Sequence, residues 1–153
     1  MKKQLHGKYD TIFYSLFARA EEGKDRGLGE HVGFVSLRLQ GSGASLPHTL
    51  SGKPGKIKKL RVLAYAMLEK AWGKGYATEA CRAVLDAYAA SVGAEKPGGE
   101  KVYVEATIIG ENLASVRVLE KLGFEKVGWK EEEEKMWLNG AWRSGYWVYG
   151  LYI

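Results

Sequence analysis

A single cysteine, Cys81, has no partner for an intrachain disulfide and cannot supply a multi-cysteine metal site. It falls inside a helical pattern, which suits a small buried core residue. The three histidines, His6, His31 and His48, lack metal-ligand spacing and read as surface or loop positions. No window approaches the roughly 20 apolar residues of a membrane span. The basic start Met1-Lys2-Lys3-Gln4 is not followed by the uncharged apolar stretch of a signal peptide. A soluble, cytoplasmic protein with no membrane partner is therefore expected. There is no internal repeat and no dividing linker, so residues 1–153 are read as a single domain.

What is present is a globular composition, 46% hydrophobic and 27% charged. The net charge of +5 favours acidic partners, which include phosphorylated cofactors, nucleic acid and anionic membrane. Lys53-Pro54-Gly55-Lys56-Ile57-Lys58-Lys59-Leu60-Arg61 is the one dense basic run, and it reads as a solvated loop. No nucleic-acid-binding motif accompanies it, so nucleic acid rests on charge alone and is not favoured.

Thr11 to Ala18 is rich in β-branched and aromatic residues and predicts a strand. Glu21 to Glu30 is a charged connection, and His31 to Gln40 alternates as a second strand. Gly41 to Pro54 is a loop. Leu60 to Leu68 is an apolar run that fits a central strand covered on both faces. Thr78 to Ser91 has helical spacing, with Thr78 as a candidate cap. Lys96-Pro97-Gly98-Gly99 marks a turn, and Lys101 to Ile109 alternates as a strand. Ser115 to Leu122 predicts a second helix, closed by Gly123. Phe124 to Trp129 predicts a short strand, and Glu131 to Glu134 an exposed acidic patch. Asn139-Gly140 is a hairpin signal before a final strand, Trp142 to Ile153. The fold class that follows is α/β (α+β). Its central sheet is mixed and mostly antiparallel, flanked by helices, with a parallel strand–helix–strand crossover from Leu60 to Ile109.

Between that central strand and the first helix lies Ala71-Trp72-Gly73-Lys74-Gly75-Tyr76-Ala77-Thr78-Glu79-Ala80. Glycines before a helix make a turn, a cap or an anion cradle. The first helical N–H groups lack internal partners, and the helix dipole adds about half a positive charge. Gly73 and Gly75 let an anion approach the backbone, and Lys74 adds a mobile charge. The stretch is not the GxxxxGK[ST] phosphate loop, and the third glycine of GxGxxG is replaced by Thr78.

Two segments carry a resemblance. Tyr65 to Ala80 resembles the coenzyme A motif of the GCN5-related N-acetyltransferase (GNAT) superfamily. The form WGKGYATEA is similar to the branch containing ribosomal-protein alanine N-acetyltransferases. Asn112-Leu113-Ala114-Ser115-Val116-Arg117-Val118-Leu119-Glu120-Lys121-Leu122-Gly123-Phe124 resembles the second motif of that branch. Against the superfamily pattern Arg/Gln-x-x-Gly-x-Gly/Ala, Trp72 replaces the polar residue, which leaves more of the pyrophosphate binding to backbone amides.

The resemblance implies an acyl-CoA N-acyltransferase-like fold, with acetyl-CoA as donor and an amine as acceptor. The backbone of Met67, Leu68 and Glu69 would pair with the pantetheine arm as an added strand does. Gly73, Lys74, Gly75, Tyr76, Ala77 and Thr78 would hold the pyrophosphate. Asn112 would hydrogen-bond the cofactor arm or the substrate amide, cap a helix, or do both. Ser115 is either the donor to the leaving thiolate or a plain first-turn residue. The tyrosine acid of many superfamily members is replaced here by Leu119. Glu105, Glu69 and Glu79 are the nearby carboxylates. Glu105 is the candidate base, directly or through a water, with an exposed strand carboxylate as its plainer reading; Glu79 suits the helix dipole.

The amine must attack neutral. An α-amine has a pKa of about 7.7–8.0 and a lysine about 10.4, a difference of roughly 3–4 kcal/mol, so a site with a weak base suits the α-amine class. Only Met1 to Asp10 precedes the first strand, too short for the N-terminal strand and helices usual in the superfamily. A CoA-binding module without efficient catalysis is therefore the alternative, and a homodimer that completes the groove stays open.

Overall fold

Alternating β-branched and aromatic residues become strands and the two alanine- and leucine-rich stretches become helices, in the expected order. The computed structural model describes residues 10–19, 27, 29–42, 44–46, 57–93, 101–138 and 140–153. The elements are β1 (Thr11–Ala18), β2 (Glu30–Leu39), β3 (Ile57–Met67), a 3₁₀ turn (Glu69–Ala71), α1 (Tyr76–Val92), β4 (Lys101–Ile108), α2 (Leu113–Leu122), β5 (Glu125–Leu138) and β6 (Ala141–Tyr152). They form one six-stranded sheet in the order β1-β2-β3-β4-β6-β5. Among the described strands only β3 and β4 run parallel, with Leu60 opposite Tyr103, Arg61 opposite Val104 and Val62 opposite Glu105. Every other pair is antiparallel. A parallel pair needs a crossover, which α1 supplies.

Both helices lie on one face of the sheet. Cys81, Val84, Leu85, Tyr88 and Ala89 recur at helical spacing along α1 and form its buried face. The first four join Val35, Leu37, Leu63, Val102, Val104, Ala106, Leu119 and Leu122 in a single core. Each fully buried Val or Leu adds roughly 1.5–3 kcal/mol. A buried polar group crosses this face. Arg61, 3% exposed, donates from Nε to Tyr88 Oη at 2.9 Å, and its Nη atoms reach the Asp10 carbonyl and carboxylate at 3.0 and 2.8 Å. It ties the start of β1 to β3 and α1.

Several boundaries differ from the sequence reading. Helix α1 starts at Tyr76 behind Gly75, whose left-handed φ of 80° ends the loop; Thr78 is a first-turn residue and not the cap. The short strand expected at Phe124 to Trp129 becomes the 14-residue β5, because β6 runs alongside it to the hairpin. The acidic patch therefore sits within a strand. The register breaks between Glu131 and Met136, so the glutamates leave the regular ladder there. Glu131, Glu133 and Glu134 are exposed, whereas Glu132 is half-buried and accepts from Tyr146 Oη at 2.8 Å. Met1 to Gln4, His6, His48, most of the Glu21–Glu30 connection, Lys53 to Lys56, the Lys96–Gly99 turn and Asn139 lie outside the described residues. The rest of the basic run is not the solvated loop expected: Ile57 to Arg61 opens β3, where pairing with β4 draws it into the sheet, and Leu60 and Arg61 are buried. Among the described residues, no helix is long and apolar enough to cross a membrane.

Candidate functional site

The parallel ladder between β3 and β4 stops at Val62 and Glu105. Beyond it β3 continues to Met67 beside β2, and β4 continues to Ile108 beside β6. Each strand follows its antiparallel neighbour, so their C-terminal ends separate into a cleft. Peptide groups alternate in direction along a strand. Leu68 N donates to Val32 O at 2.9 Å, with Met67 opposite Gly33. The Tyr65 and Met67 peptide groups therefore point away from β2, into the cleft.

The chain then folds back. Ala71 N donates to Leu68 O at 2.8 Å and Trp72 N to Glu69 O at 3.0 Å, forming the 3₁₀ turn. The Trp72 indole Nε1 donates to Met67 O at 2.8 Å. Of the three residues expected to offer backbone to a cofactor arm, Leu68 and Glu69 thus carry the turn, and Met67 stands on the open edge.

Gly73 and Gly75 have φ of 72° and 80°. A Cβ at either would meet no heavy atom within 4 Å. Glycine is required there by conformation and not by crowding. The first intrahelical bond runs from Glu79 N to Gly75 O at 3.1 Å, so the Tyr76, Ala77 and Thr78 N–H groups point out of the helix end. Open space in front of three outward amides and a helix dipole suits an anion. Lys74 is exposed beside this loop. The hydrogen bond from Lys70 holds the Glu30 carboxyl below its usual range, and Lys74 contributes to the same shift.

Across the cleft, α2 begins with Asn112, whose side-chain oxygen accepts from Ser115 N at 3.1 Å. This is the cap role weighed from sequence, and it leaves the side-chain NH₂ as a donor. The Ser115 carbonyl accepts from Tyr65 Oη at 3.4 Å, a bond that spans the cleft from β3 to α2. Burial pushes the Tyr65 phenol up, so it stays protonated. Leu119 is fully buried in the core. Arg143 on β6 pairs with Glu111 at 2.7 Å, fastening the long hairpin to the turn before α2.

Glu105 is the last residue of the parallel ladder and is 1% exposed, which overturns its reading as an exposed strand carboxylate. Both its oxygens accept from Ser45 N, at 3.0 and 3.1 Å, and Oε2 also accepts from Ser45 Oγ at 2.8 Å. It lies on the face opposite Val104, away from α1 and α2. Met67 and the Gly73–Thr78 loop thus follow one another at the end of β3, Asn112 and Ser115 open α2 and are tied to β3 by the Tyr65 bond, and Glu105 ends the parallel ladder on the other face. Glu79 is exposed on the first turn of α1. Sequence reasoning did not single out Tyr65 or the Trp72 side chain. The alternation Tyr65-x-Met67 was a legible signal for the first, whereas nothing local marks Ser45 as the partner of Glu105. Among the described residues, no group of three or more His, Cys, Asp or Glu is placed to hold a metal ion.

A family model described as "Acetyltransferase (GNAT) domain" matches residues 5–125. Solved structures share the fold. The chain is 21% identical to an acetyltransferase (GNAT family) from Bacillus anthracis, at TM-score 0.54, covering 82% of this chain and 61% of that one. It is 22% identical to Mycobacterium smegmatis RimJ in complex with CoA-disulfide, at TM-score 0.55, covering 81% and 48%. It is 20% identical to the ribosomal-protein-S5-alanine acetyltransferase of Vibrio fischeri, at TM-score 0.53, covering 80% and 54%. The chain spans less than two thirds of the length of each of these structures.

Proposed function

The chain belongs to the GNAT acetyltransferase family, and from that premise we propose that it transfers an acetyl group from acetyl-CoA to a primary amine, a protein N-terminus or a small-molecule amine, by direct attack in a ternary complex. The observation that carries this reading is the junction of two features. A strand edge opens where β3 leaves β4, and it runs directly into a two-glycine loop at the start of α1. An extended amide chain fits the first and a pyrophosphate the second. Residues 1–153 are taken to act as one domain.

Acetyl-CoA supplies the thioester: the amine nitrogen bonds to its carbonyl carbon, the C–S bond breaks, and the proton lost by nitrogen matches the one taken up by sulfur. The chain's part is to bind and orient. Met67 and Tyr65 present peptide groups to the arm, and Gly73, Gly75, Tyr76, Ala77 and Thr78 present the anion cradle, with Lys74 beside it. Asn112 offers its NH₂ group, and the Ser115 hydroxyl is the candidate proton donor. Glu105, held by Ser45, serves as base only if that loop lets a water or amine reach it.

Titration of the chain with acetyl-CoA, then thiol release with a panel of amines, tests the proposal. Binding with turnover on an α-amine is expected, and no affinity for CoA would refute it. The second reading, a CoA-binding module, is favoured by two observations: Leu119, at the position where the resemblance implies a tyrosine acid, is an apolar side chain fully buried in the core, and the Glu105 carboxylate is already engaged. Binding without turnover on any amine supports that reading.

A further inference from the structure

Trp72 is 65% exposed, yet its only side-chain donor is fixed on a backbone carbonyl. A tryptophan usually serves by burying its ring, so packing does not account for this one. The carbonyl belongs to Met67, the last residue of β3, and it points into the cleft. Two residues upstream, Tyr65 presents the same peptide groups in the same direction. A strand edge repeats every two residues. A chain added to it can therefore slide by one repeat, about 7 Å, and keep its hydrogen bonds. Such a slide would carry a reactive group at the end of the chain out of reach of any acceptor. The edge needs a stop, and Trp72 stands at its end.

We propose that Trp72 is a positioning residue, which closes the β3 edge through its Nε1–Met67 O bond and so sets the register of the cofactor's amide arm. The inference rests on the acetyl-CoA reading above. Trp72 also directly precedes Gly73, so the same bond fixes the spacing between the strand edge and the anion cradle. The arm is left with Met67 N–H and the Tyr65 peptide groups, and does not run past Met67.

The test is Trp72→Phe, which keeps a ring and removes the donor. Two ligands separate the effects. CoA carries both the pyrophosphate and the amide arm, whereas ADP carries a pyrophosphate and no arm. The variant is expected to bind CoA roughly two- to tenfold more weakly, the range of one net hydrogen bond, with ADP affinity unchanged within about twofold. With acetyl-CoA and an accepted amine, kcat falls by a larger factor than KM rises, because a slipped arm misplaces the reacting atom. Retained ADP binding also shows that the variant is folded. Equal CoA affinity and equal kcat in the variant and the unmodified chain overturn the stop and leave the acetyltransferase reading standing. Loss of ADP and CoA binding together also overturns it, because that places Trp72 in the cradle itself. No CoA binding by the unmodified chain overturns the acetyltransferase reading, and this inference with it.

Discussion

Gly75 offers the sharpest test of the cradle, because conformation and crowding are separable there. Its φ is 80°, and a Cβ on it would meet nothing within 4 Å. Alanine at this position therefore meets no clash and carries only the left-handed penalty, roughly 1–2 kcal/mol. In a chain of this size that lowers the thermal midpoint by roughly 2–8 °C. Asparagine tolerates the left-handed region better, so the stability order is Gly75, then Gly75→Asn, then Gly75→Ala, then the β-branched Gly75→Val. Two responses are open to the loop. It keeps its shape and the whole cost appears in stability, or it rotates Gly75 out of the left-handed region and the Tyr76–Thr78 amides lose their common direction. Differential scanning calorimetry reads the first and CoA titration the second. For Gly75→Val we expect the second, with CoA binding lost. A Gly75→Val chain that binds CoA as the unmodified chain does would refute the cradle. A Gly75→Ala chain of unchanged midpoint would refute the left-handed loop on which the cradle depends.

Three further outcomes follow from buried polar groups. Replacing Glu105 with Ala leaves the half-buried Ser45 N–H without its acceptor, a loss of roughly 1–3 kcal/mol in urea unfolding. Glu105→Gln keeps an acceptor and should lose less, so equal losses would contradict the bonding seen here. Arg61→Met removes the bond to Tyr88 at the buried end of its network and should cost roughly 2–3 kcal/mol. Asp10→Asn should cost under about 1 kcal/mol, because Asp10 is half in solvent and such pairs are weak; a reversed order in chemical denaturation would sink this assignment. Burial pushes the Cys81 thiol up to about 12. Burial, then the hydrogen bond to Glu132, pushes the Tyr146 phenol up to about 12. Unfolded, these groups ionise near about 8.5 and 10. The folded chain thus binds more protons between about pH 8.5 and 12, and stability falls as pH rises through that window. Urea midpoints should drop from pH 8 to pH 10.5, with Cys81→Ala flattening the lower part. A pH-independent midpoint would contradict both shifts.

What was legible in the sequence was local. The run of β-branched and aromatic residues from Thr11 to Ala18 is β1 residue for residue, because strand propensity acts over short range. Gly123 closes α2 with φ of 88°, as its place after Leu122 implied. The start of α1 was misread because Thr78 has capping chemistry, whereas left-handed Gly75 ends the loop first. β5 was read short because Glu131 to Glu134 break the alternation. Its length is set by β6, which pairs with it from the sheet out to the hairpin. Ser45 and Glu105 meet across 60 residues of chain, a distance over which no periodicity carries information.

The same division runs through the site. Gly73 and Gly75 were recognisable because a left-handed backbone restricts residue choice, and that restriction is written at the position itself. The cleft is different. It exists because β3 and β4 each have an antiparallel neighbour that outlasts their mutual ladder: β2 holds β3 as far as Met67, and β6 holds β4 as far as Ile108. No residue at Val62 or Glu105 announces that the parallel pairing will stop there. The opening is a consequence of strand order, and strand order is decided by which elements cover which face of the sheet. The anion end of the site is thus encoded by residue type at two glycines. The strand-edge end is encoded by topology, with Trp72 at the point where the two meet.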